Sequence, residues 1–290
     1  MRYGLHVNSG AAVTDPAVLR EVAQLAEELG YDSVLIGDHV IPPRSITTPF
    51  PLKMEHPPWH VYQEQDWPDC FAMLGFLAAS TTRVRLGTSV IILPYRHPAV
   101  VAKMIATLDR LSGGRIICGV GIGWLREEFE FLGVPFAERA AMSEEYIAVM
   151  KALWAGEQPP GAGRYVTIEQ AVNFGPLPVQ KPHPPLWVGG NSLAALRRVA
   201  RWGDGWQPVY LPPPVIEQKL GQLRALMQEA GRDFRRVEIT TLAGAGVTPE
   251  EARAYQAVGI QVLYLLTTSD QPRELVAQMR QFAATLQATK

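Results

Sequence analysis

Charge of either sign is scarce and nearly balanced in this sequence. Of its 290 residues, 27 are Lys or Arg and 28 are Asp or Glu, which leaves a formal net charge of −1. This balance offers no electrostatic attraction to nucleic acid or to an anionic membrane, so neither is expected as a partner. No stretch approaches the roughly 18 consecutive apolar residues that span a bilayer. The amino terminus, Met1–Asn8, is too short and polar for a signal peptide.

Cysteine is nearly absent. Cys70 and Cys118 do not form a Cys-x-x-Cys pair, so we expect neither a disulfide framework nor a thiolate metal site. His56 and His60 have a spacing found in metal sites, but the prolines between them exclude the helix that would direct both rings at one ion. We therefore assign no metal, and we expect a cytoplasmic protein.

Short runs of Val, Ile and Leu alternate with longer segments of helical period, and 47% of the residues are hydrophobic. Eight such units leave an open doubly wound sheet or a closed barrel as the main options. Because 290 residues hold eight units without a second domain, we predict one (β/α)₈ TIM barrel over residues 1–290. Strands are predicted near Tyr3–Val7, Ser33–Gly37, Val84–Thr88, Ile116–Val120, Pro185–Val188, Gly205–Pro208, Val237–Thr241 and Gln261–Leu266.

Two connections are too long to be simple turns. They are Val40–Gln65, after the second predicted strand, and Gln158–Pro184, after the fourth, which contains a strand-like stretch at Arg164–Phe174. Long connections of this kind are usually functional or disordered. Since both follow strands, we expect both to lie over the carboxyl-end face of the barrel, where active sites form.

The second predicted strand ends at Gly37-Asp38-His39, a carboxylate beside an imidazole. An imidazole exchanges protons near neutral pH, so this pair is a candidate for acid–base chemistry. The alternative is that Asp38 caps the following turn and His39 packs beneath it. The strand-end position leaves the two interpretations about evenly matched.

Two further strand ends are rich in small residues. At Gly87-Thr88-Ser89-Val90, a flat ligand could approach the backbone, although a simple bulge is the more ordinary interpretation. The run Gly119–Trp124 resembles a dinucleotide fingerprint, but Trp124 occupies the place of its third glycine, which excludes a Rossmann site. Gly121 and Gly123 could still make room for a planar cofactor.

Gly189-Gly190-Asn191-Ser192 follows the fifth predicted strand and precedes a predicted helix at Leu193–Trp202. Free N–H groups and the partial positive charge of a helix amino terminus suit a phosphate. Asn191 or Ser192 could instead only cap the helix. The paired glycines favour phosphate binding slightly over helix capping alone.

Taken together, these segments give the chain a resemblance, along nearly its whole length, to the luciferase-like flavin and deazaflavin oxidoreductases. Each segment is weak alone, and their order and spacing carry the resemblance. The segments are Gly37–Val40, Leu86–Val90, Arg96–Pro98, Leu108–Arg115, Gly119–Trp124, Glu127–Phe129 and Val188–Gly190.

The resemblance implies a cofactor and roles for several residues. Asp38-His39 is similar to the pair in members that use the deazaflavin coenzyme F420, whereas members that use reduced flavin often have Glu-His-His. In this branch the residue matching His39 is the acid or base of hydride transfer, and we expect Asp38 to hold its ring. Ser89-Val90 should form a non-prolyl cis peptide behind the cofactor ring, and Gly189-Gly190 should approach the cofactor phosphate. The implied cofactor-binding set is Asp38, His39, Thr88, Ser89, Val90, Gly121, Gly123, Gly189, Gly190, Asn191 and Ser192.

One position departs from the resemblance. The sugar-phosphate dehydrogenases of this branch have a glutamate where this chain has Trp124, so a small apolar or aromatic substrate is expected instead. Trp124 could also merely pack against Phe129 or Phe131. Two alternative functions remain: a monooxygenase that receives reduced FMN, and a non-catalytic barrel that only binds the cofactor. The family further implies a homodimer and a separate reductase or dehydrogenase that supplies reduced cofactor.

Overall fold

The computed structural model describes residues 1–7, 14–50, 66–266, 269 and 271–288. Through these ranges, strands alternate with helices. The strands are β1 (Arg2–Val7), β2 (Ser33–Ile36), β3 (Arg85–Thr88), β4 (Ile91–Ile92), β5 (Ile116–Gly121), β6 (Leu186–Gly189), β7 (Gly205–Gln207), β8 (Glu238–Ala243) and β9 (Val262–Leu266). The helices are α1 (Pro16–Glu28), α2 (Cys70–Ser80), α3 (Pro98–Ser112), α4 (Arg126–Phe131), α5 (Arg139–Ala155), α6 (Leu193–Trp202), α7 (Pro213–Glu229), α8 (Pro249–Ala257) and α9 (Pro272–Gln287).

Local capping signals explain where several helices begin. The Asp15 side chain accepts from the first free N–H groups of α1, and Pro16 occupies the first helical position. At the start of α8, Thr248 and Glu251 form a reciprocal capping box. α3 ends at Gly113, whose φ of 71° is the left-handed conformation that glycine adopts most easily.

The strands form a closed parallel barrel. Their order is β3-β2-β1-β9-β8-β7-β6-β5-β4, and pairing of β3 with β5 closes the ring. β3 and β4 are two pieces of one barrel strand, interrupted at Ser89-Val90, and β4 continues the pairing with β5. The eight predicted strands and the TIM-barrel fold are therefore confirmed.

The barrel lumen is filled by pairing large rings with glycines. Tyr264 lies over Gly4, and Trp187 lies over Gly205, with each ring where a Cβ of the glycine would be. Leu35, Ile117, Leu242 and Val262 complete this buried layer. Side chains alternate in direction along a strand, so the next inward-facing residues towards the carboxyl ends of the strands line the mouth of the barrel.

The second long insertion does not directly follow a strand, contrary to expectation. It lies between α5 and β6, and among the described residues its regular pairing is an isolated bridge between Ala162 and Thr167, so the strand-like stretch at Arg164–Phe174 does not form a strand. Its far end reaches the amino-terminal face, because the Gln180 side chain donates to the carbonyl of Ile116, at the start of β5. The insertion follows a helix rather than a strand, and its first part lies along α5, where Arg164 pairs with Glu138.

Among the helices of the described ranges, none combines the length and apolar character needed to cross a membrane. Cys70 and Cys118 are both buried and form no disulfide.

A glycine in β5 has no room for a side chain. A Cβ at Gly119 would lie 1.9 Å from the carbonyl oxygen of Thr88, which belongs to rigid backbone. We therefore expect Gly119→Ala to lower the free energy of unfolding by about 3 kcal/mol or more, as overpacking of a barrel wall does. Urea denaturation followed by circular dichroism measures this change.

Gly221→Ala is the matched control. Gly221 lies within α7, and a Cβ there would meet nothing within 4 Å. Because alanine favours helix over glycine, the control should gain about 0.5–1 kcal/mol. Equal effects of the two substitutions would contradict the packing argument.

Candidate active site

A buried carboxylate, Glu128 on α4, organises the mouth of the barrel. Its Oε2 is 2.7 Å from His39 Nδ1 and accepts from the Tyr95 hydroxyl at 2.8 Å. Its Oε1 accepts from the backbone N–H groups of Val40 at 2.6 Å and Ile41 at 2.9 Å. Glu128 has no exposed surface, so every one of these bonds replaces one to water.

This network fixes the orientation of His39. An ionised carboxylate only accepts hydrogen bonds, so Nδ1 of His39 carries a hydrogen and donates it to Glu128. Burial by itself would raise the pKa of Glu128, but the hydrogen bonds from His39, Ile41 and Tyr95 outweigh burial and hold this pKa below its usual value. Nε2, the other ring nitrogen, carries no hydrogen in the neutral form of His39.

Asp38 does not hold the His39 ring, contrary to the sequence-based expectation. Its carboxylate forms a two-pronged ion pair with Arg96, at 2.8 and 2.9 Å, and accepts from the backbone N–H of Ile92 at 3.0 Å. Asp38 therefore ties the end of β2 to the segment after β3. The orienting carboxylate is Glu128, which sequence reasoning noted only as part of a motif.

A second carboxylate of α4 holds the other part of the loop after β2. Glu127 accepts from the backbone N–H and the hydroxyl groups of both Thr47 and Thr48, at 2.6–2.8 Å. Partial desolvation raises the pKa of Glu127, but the bonds from the two threonines lower it to about 2. Consecutive acids on one short helix thus fix residues 39–48 at the mouth. Two adjacent glutamates shortly after a strand end were the available sequence signal.

The bulge at Ser89-Val90 lies between β3 and β4. The peptide bond between these residues is cis, as predicted. The Ser89 hydroxyl donates to Gln207 Oε1 at 2.8 Å, and the Ser89 carbonyl oxygen is 3.2 Å from His6 Nε2. His6, Ser89 and Gln207 therefore form a polar layer at the top of the lumen.

The structure gives the strand-end glycines a reason other than ligand approach. A Cβ at Gly121 would lie 2.5 Å from the Val90 side chain, and one at Gly189 would lie 2.9 Å from it. At Gly123, φ is 78° and a Cβ would meet Phe129 and Ile92. These three glycines, which the sequence suggested as cofactor contacts, make room for protein side chains.

Thr88 also has a structural partner. Its side chain is completely buried and its hydroxyl donates to the Gly119 carbonyl at 2.7 Å. The hydroxyl is therefore committed to the neighbouring strand, and Ser89 and Val90 are the members of this segment that are partly exposed at the mouth.

The turn after β6 combines a capping residue with a structural amide. Ser192 is the N-cap of α6, and its hydroxyl accepts from the Ala195 N–H at 3.1 Å. The Asn191 side chain both donates to the carbonyl and accepts from the N–H of Val209, at 2.8 and 2.9 Å. Gly190 has a φ of 117°, which only glycine adopts easily. Asn191 and Ser192 therefore each have a structural role, and their contact with a cofactor stays a prediction.

Arg126, Arg139 and Arg198 form a cationic cluster that the sequence did not reveal. Arg126 and Arg139 both lie over the Phe136 ring, at 4.4 and 3.8 Å from its centroid. Burial lowers the pKa of Arg139, and the positive charges of Arg126 and Arg198 lower it further. Of these arginines, Arg198 is paired with a carboxylate, Glu144 on α5. A cluster of cations suits an anionic ligand.

Aromatic rings lie on the same loops. The Trp67 ring contacts the His39 ring edge-on at 4.6 Å, and Trp124 contacts Phe50 edge-on at 5.3 Å. Phe129 packs instead with Tyr95 and Phe136. On the side of Trp67, the surroundings of the His39 ring are therefore apolar.

Within the described ranges, no three His, Cys, Asp or Glu side chains converge as a metal site. His56 and His60 lie outside the described residues.

A closed parallel barrel, with an oriented histidine and a strand-end bulge at its carboxyl-end mouth, defines the class of luciferase-like barrels. The sequence model of the luciferase-like monooxygenase family matches residues 2–288. The chain belongs to this family.

Similar proteins within this class carry different activities in their names. An F420-dependent glucose-6-phosphate dehydrogenase of Beutenbergia cavernae is 38% identical over 197 residues, which are 66% of this chain and 52% of that protein. The monooxygenase RslO1 of Streptomyces bottropensis has a TM-score of 0.79 at 23% identity, covering 99% of both chains. An F420-dependent secondary alcohol dehydrogenase, solved with an F420-acetone adduct, has a TM-score of 0.79 at 19% identity, covering both chains fully.

The buried Glu128 carboxylate generates a pH-dependent prediction. Glu128→Gln should lower the free energy of unfolding at pH 7 by about 3 kcal/mol, because an amide cannot accept all four donors. The pKa of Glu128 is lower in the folded protein, so its ionised form adds stability above about pH 4.3 that is lost as the pH falls further. Urea denaturation from pH 7 to pH 3 should therefore show the difference between the proteins shrinking.

Glu130→Gln on the same helix is the control. Glu130 is exposed, and its side chain should contribute little at any pH. A difference between wild type and Glu128→Gln that stayed constant down to pH 3 would show that Glu128 is not ionised in the native protein.

Proposed function

We propose that this protein is an oxidoreductase that transfers a hydride between coenzyme F420 and a small organic substrate. The observation that carries the proposal is the His39–Glu128 pair at the barrel mouth, on a loop clamped by α4. A histidine held by a buried carboxylate through one nitrogen is a suitable acid or base at the other. The similarity to F420-dependent enzymes supports the cofactor assignment.

The residues present fit a flat cofactor with an anionic tail. The bulge at Ser89-Val90 offers partly exposed backbone on which a ring system can lie. The turn at Gly190, the first turn of α6 and the arginines 126, 139 and 198 would receive the phosphate. When bound, coenzyme F420 supplies a carbon that accepts or donates the hydride.

The chain's own residues manage the proton. Nε2 of His39 removes a proton from a substrate hydroxyl as the hydride leaves, or returns it to a carbonyl oxygen in the reverse direction. Glu128 keeps the ring oriented and stabilises the positive charge that His39 gains as a base. Asp38 acts on the site only through the loop that it anchors to Arg96.

The substrate that we propose is neutral and apolar or aromatic. Trp67 contacts His39, and Trp124 replaces the acid that the sugar-phosphate dehydrogenases have at this position. Arg96, a cation at the mouth, is committed to Asp38 and Asp69.

A second candidate is a two-component monooxygenase that receives reduced FMN and consumes oxygen. The fold similarity to the monooxygenase RslO1 supports this alternative. The polar layer of His6, Ser89 and Gln207 does not distinguish the two ring systems, so cofactor preference must come from binding measurements.

We further propose a cytoplasmic homodimer supplied with reduced cofactor by a separate reductase or dehydrogenase. The two unpaired cysteines suit a reducing compartment. One face of α3 exposes the apolar side chains of Val100, Met104 and Leu111, the last of them 72% exposed, which suits contact with a second copy. Sedimentation equilibrium tests the dimer.

His39→Asn tests the central role. We expect single-turnover oxidation of reduced coenzyme F420 by benzaldehyde to slow by about 10²–10⁴, the usual contribution of a positioned acid. Binding of coenzyme F420 should change much less, because the phosphate is received by other elements. Stopped-flow absorbance without oxygen measures the rate, and repetition with oxygen and reduced FMN tests the monooxygenase.

His97→Asn is the matched control. His97 is the N-cap of α3, and asparagine caps helices well, so turnover should remain at the wild-type rate. Equal turnover by wild type and His39→Asn would remove His39 from the mechanism. Binding without turnover in every protein would indicate a non-catalytic barrel.

A further inference from the structure

Tyr95 brings one hydroxyl group from an apolar cluster to the buried carboxylate of the active site. It ends the 3₁₀ turn Leu93–Tyr95 after β4, and its ring packs edge-on against Phe129 at 4.8 Å. Ile92 and Phe129 are buried in the same cluster, and the partly buried side chains packed against it are also hydrophobic. A phenylalanine ring would fill the same space, so packing does not require the hydroxyl.

The Tyr95 hydroxyl is a permanent donor to Glu128. Burial raises the pKa of this phenol, and the negative charge of Glu128 raises it further, so the hydroxyl keeps its hydrogen near neutral pH. It donates to Glu128 Oε2 at 2.8 Å. Tyr95 therefore takes no part in moving protons, and it acts on the site through this one bond.

Tyr95 and His39 share one oxygen of Glu128. Oε2 accepts from both side chains, at 2.8 and 2.7 Å, whereas Oε1 accepts from two backbone N–H groups. Each donor draws negative charge towards itself, so a second donor on the same oxygen reduces what that oxygen offers to the first. The Tyr95 hydroxyl therefore weakens the attraction between Glu128 and the imidazolium form of His39.

The other charges near this oxygen largely cancel. Asp38 and Arg96, which both act electrostatically on the phenol, form a two-pronged ion pair with each other. The Cys70 thiol beside Asp38 is buried, and burial raises its pKa, so it stays neutral. Within the described ranges, the charge that faces His39 is therefore that of Glu128, which has no exposed surface and is little screened by water.

We propose that Tyr95 is a positioning residue that sets the proton affinity of His39 through Glu128. A buried carboxylate without this donor would hold the imidazolium so firmly that His39 would release its proton slowly. The shared oxygen reduces that attraction, which suits a histidine that takes a proton in one direction of the reaction and returns it in the other. This inference rests on the proposed function, in which Nε2 of His39 exchanges a proton with the substrate.

Tyr95→Phe tests this role first in the ligand-free protein. Without the hydroxyl, Oε2 serves His39 alone and stabilises the imidazolium more strongly. The pH at which the His39 ring signal is half-titrated should therefore rise by about 0.5–1 unit. NMR of protein with ¹³C-labelled histidine measures this midpoint, and His39→Asn identifies the signal by its loss.

The same substitution should change the pH dependence of turnover. When reduced coenzyme F420 reduces benzaldehyde, His39 acts as the acid, so the rate falls as the pH rises through its titration. In Tyr95→Phe the midpoint of this fall should move upward by the same amount as the NMR midpoint. The maximal rate should fall about threefold, because the proton is held more tightly, while KM for benzaldehyde stays unchanged.

Tyr31→Phe is the matched control. The Tyr31 hydroxyl is also buried and donates at 2.8 Å, but to the backbone carbonyl of Met279 on α9. Loss of either hydroxyl should lower the melting temperature slightly, and only Tyr95→Phe should move the titration of His39.

The outcomes separate this inference from the proposed function. An unchanged His39 midpoint in Tyr95→Phe, or an equal shift in Tyr31→Phe, would leave Tyr95 with a role in stability alone and overturn the inference, whatever the turnover of wild type. If the midpoint shifts as expected but wild type oxidises neither reduced coenzyme F420 nor reduced FMN, the proposed function fails, and the control of His39 by Tyr95 stands.

Discussion

The buried charge of Glu128 is the constraint on which the mouth of the barrel depends. A carboxylate without exposed surface is stable only if donors replace water, and here the donors come from His39, Val40, Ile41 and Tyr95. They belong to the loop after β2 and to the segment after β4. The loop, α4 and the histidine are therefore assembled together or not at all, and the ring orientation is part of the fold.

The shape of the mouth depends in a similar way on residues that require one another. The bulge between β3 and β4 directs Val90 into the space that side chains at Gly121 and Gly189 would fill. Glycine-rich strand ends therefore reflect close packing of protein against protein. The bulge, the aromatic ring beside His39 and the turn before α6 remain partly exposed, and we propose that the ligand binds there.

Part of the motif that relates this chain to its family maintains the fold rather than the chemistry. Asp109 is fully buried and accepts from the N–H groups of Val179 and Gln180. Arg115 donates to the carbonyl groups of Ala78, Thr81, Ser112 and Val84. These side chains join elements that are distant in sequence on the amino-terminal side of the barrel, so their recurrence in the resemblance carries no information about substrate.

What the sequence determined by itself is what short-range physics controls. Apolar periodicity, the caps at Asp15 and Thr248, and strand ends marked by glycine were sufficient for the barrel and for placing His39, Ser89 and Gly190 at its mouth. The tertiary structure decided which side chains contact one another. Neighbours in an extended chain direct their side chains to opposite sides, so Asp38 binds Arg96 while His39 binds a glutamate 89 residues away. The cluster of Arg126, Arg139 and Arg198 likewise exists only after the barrel closes, because no local rule relates residues on three different helices.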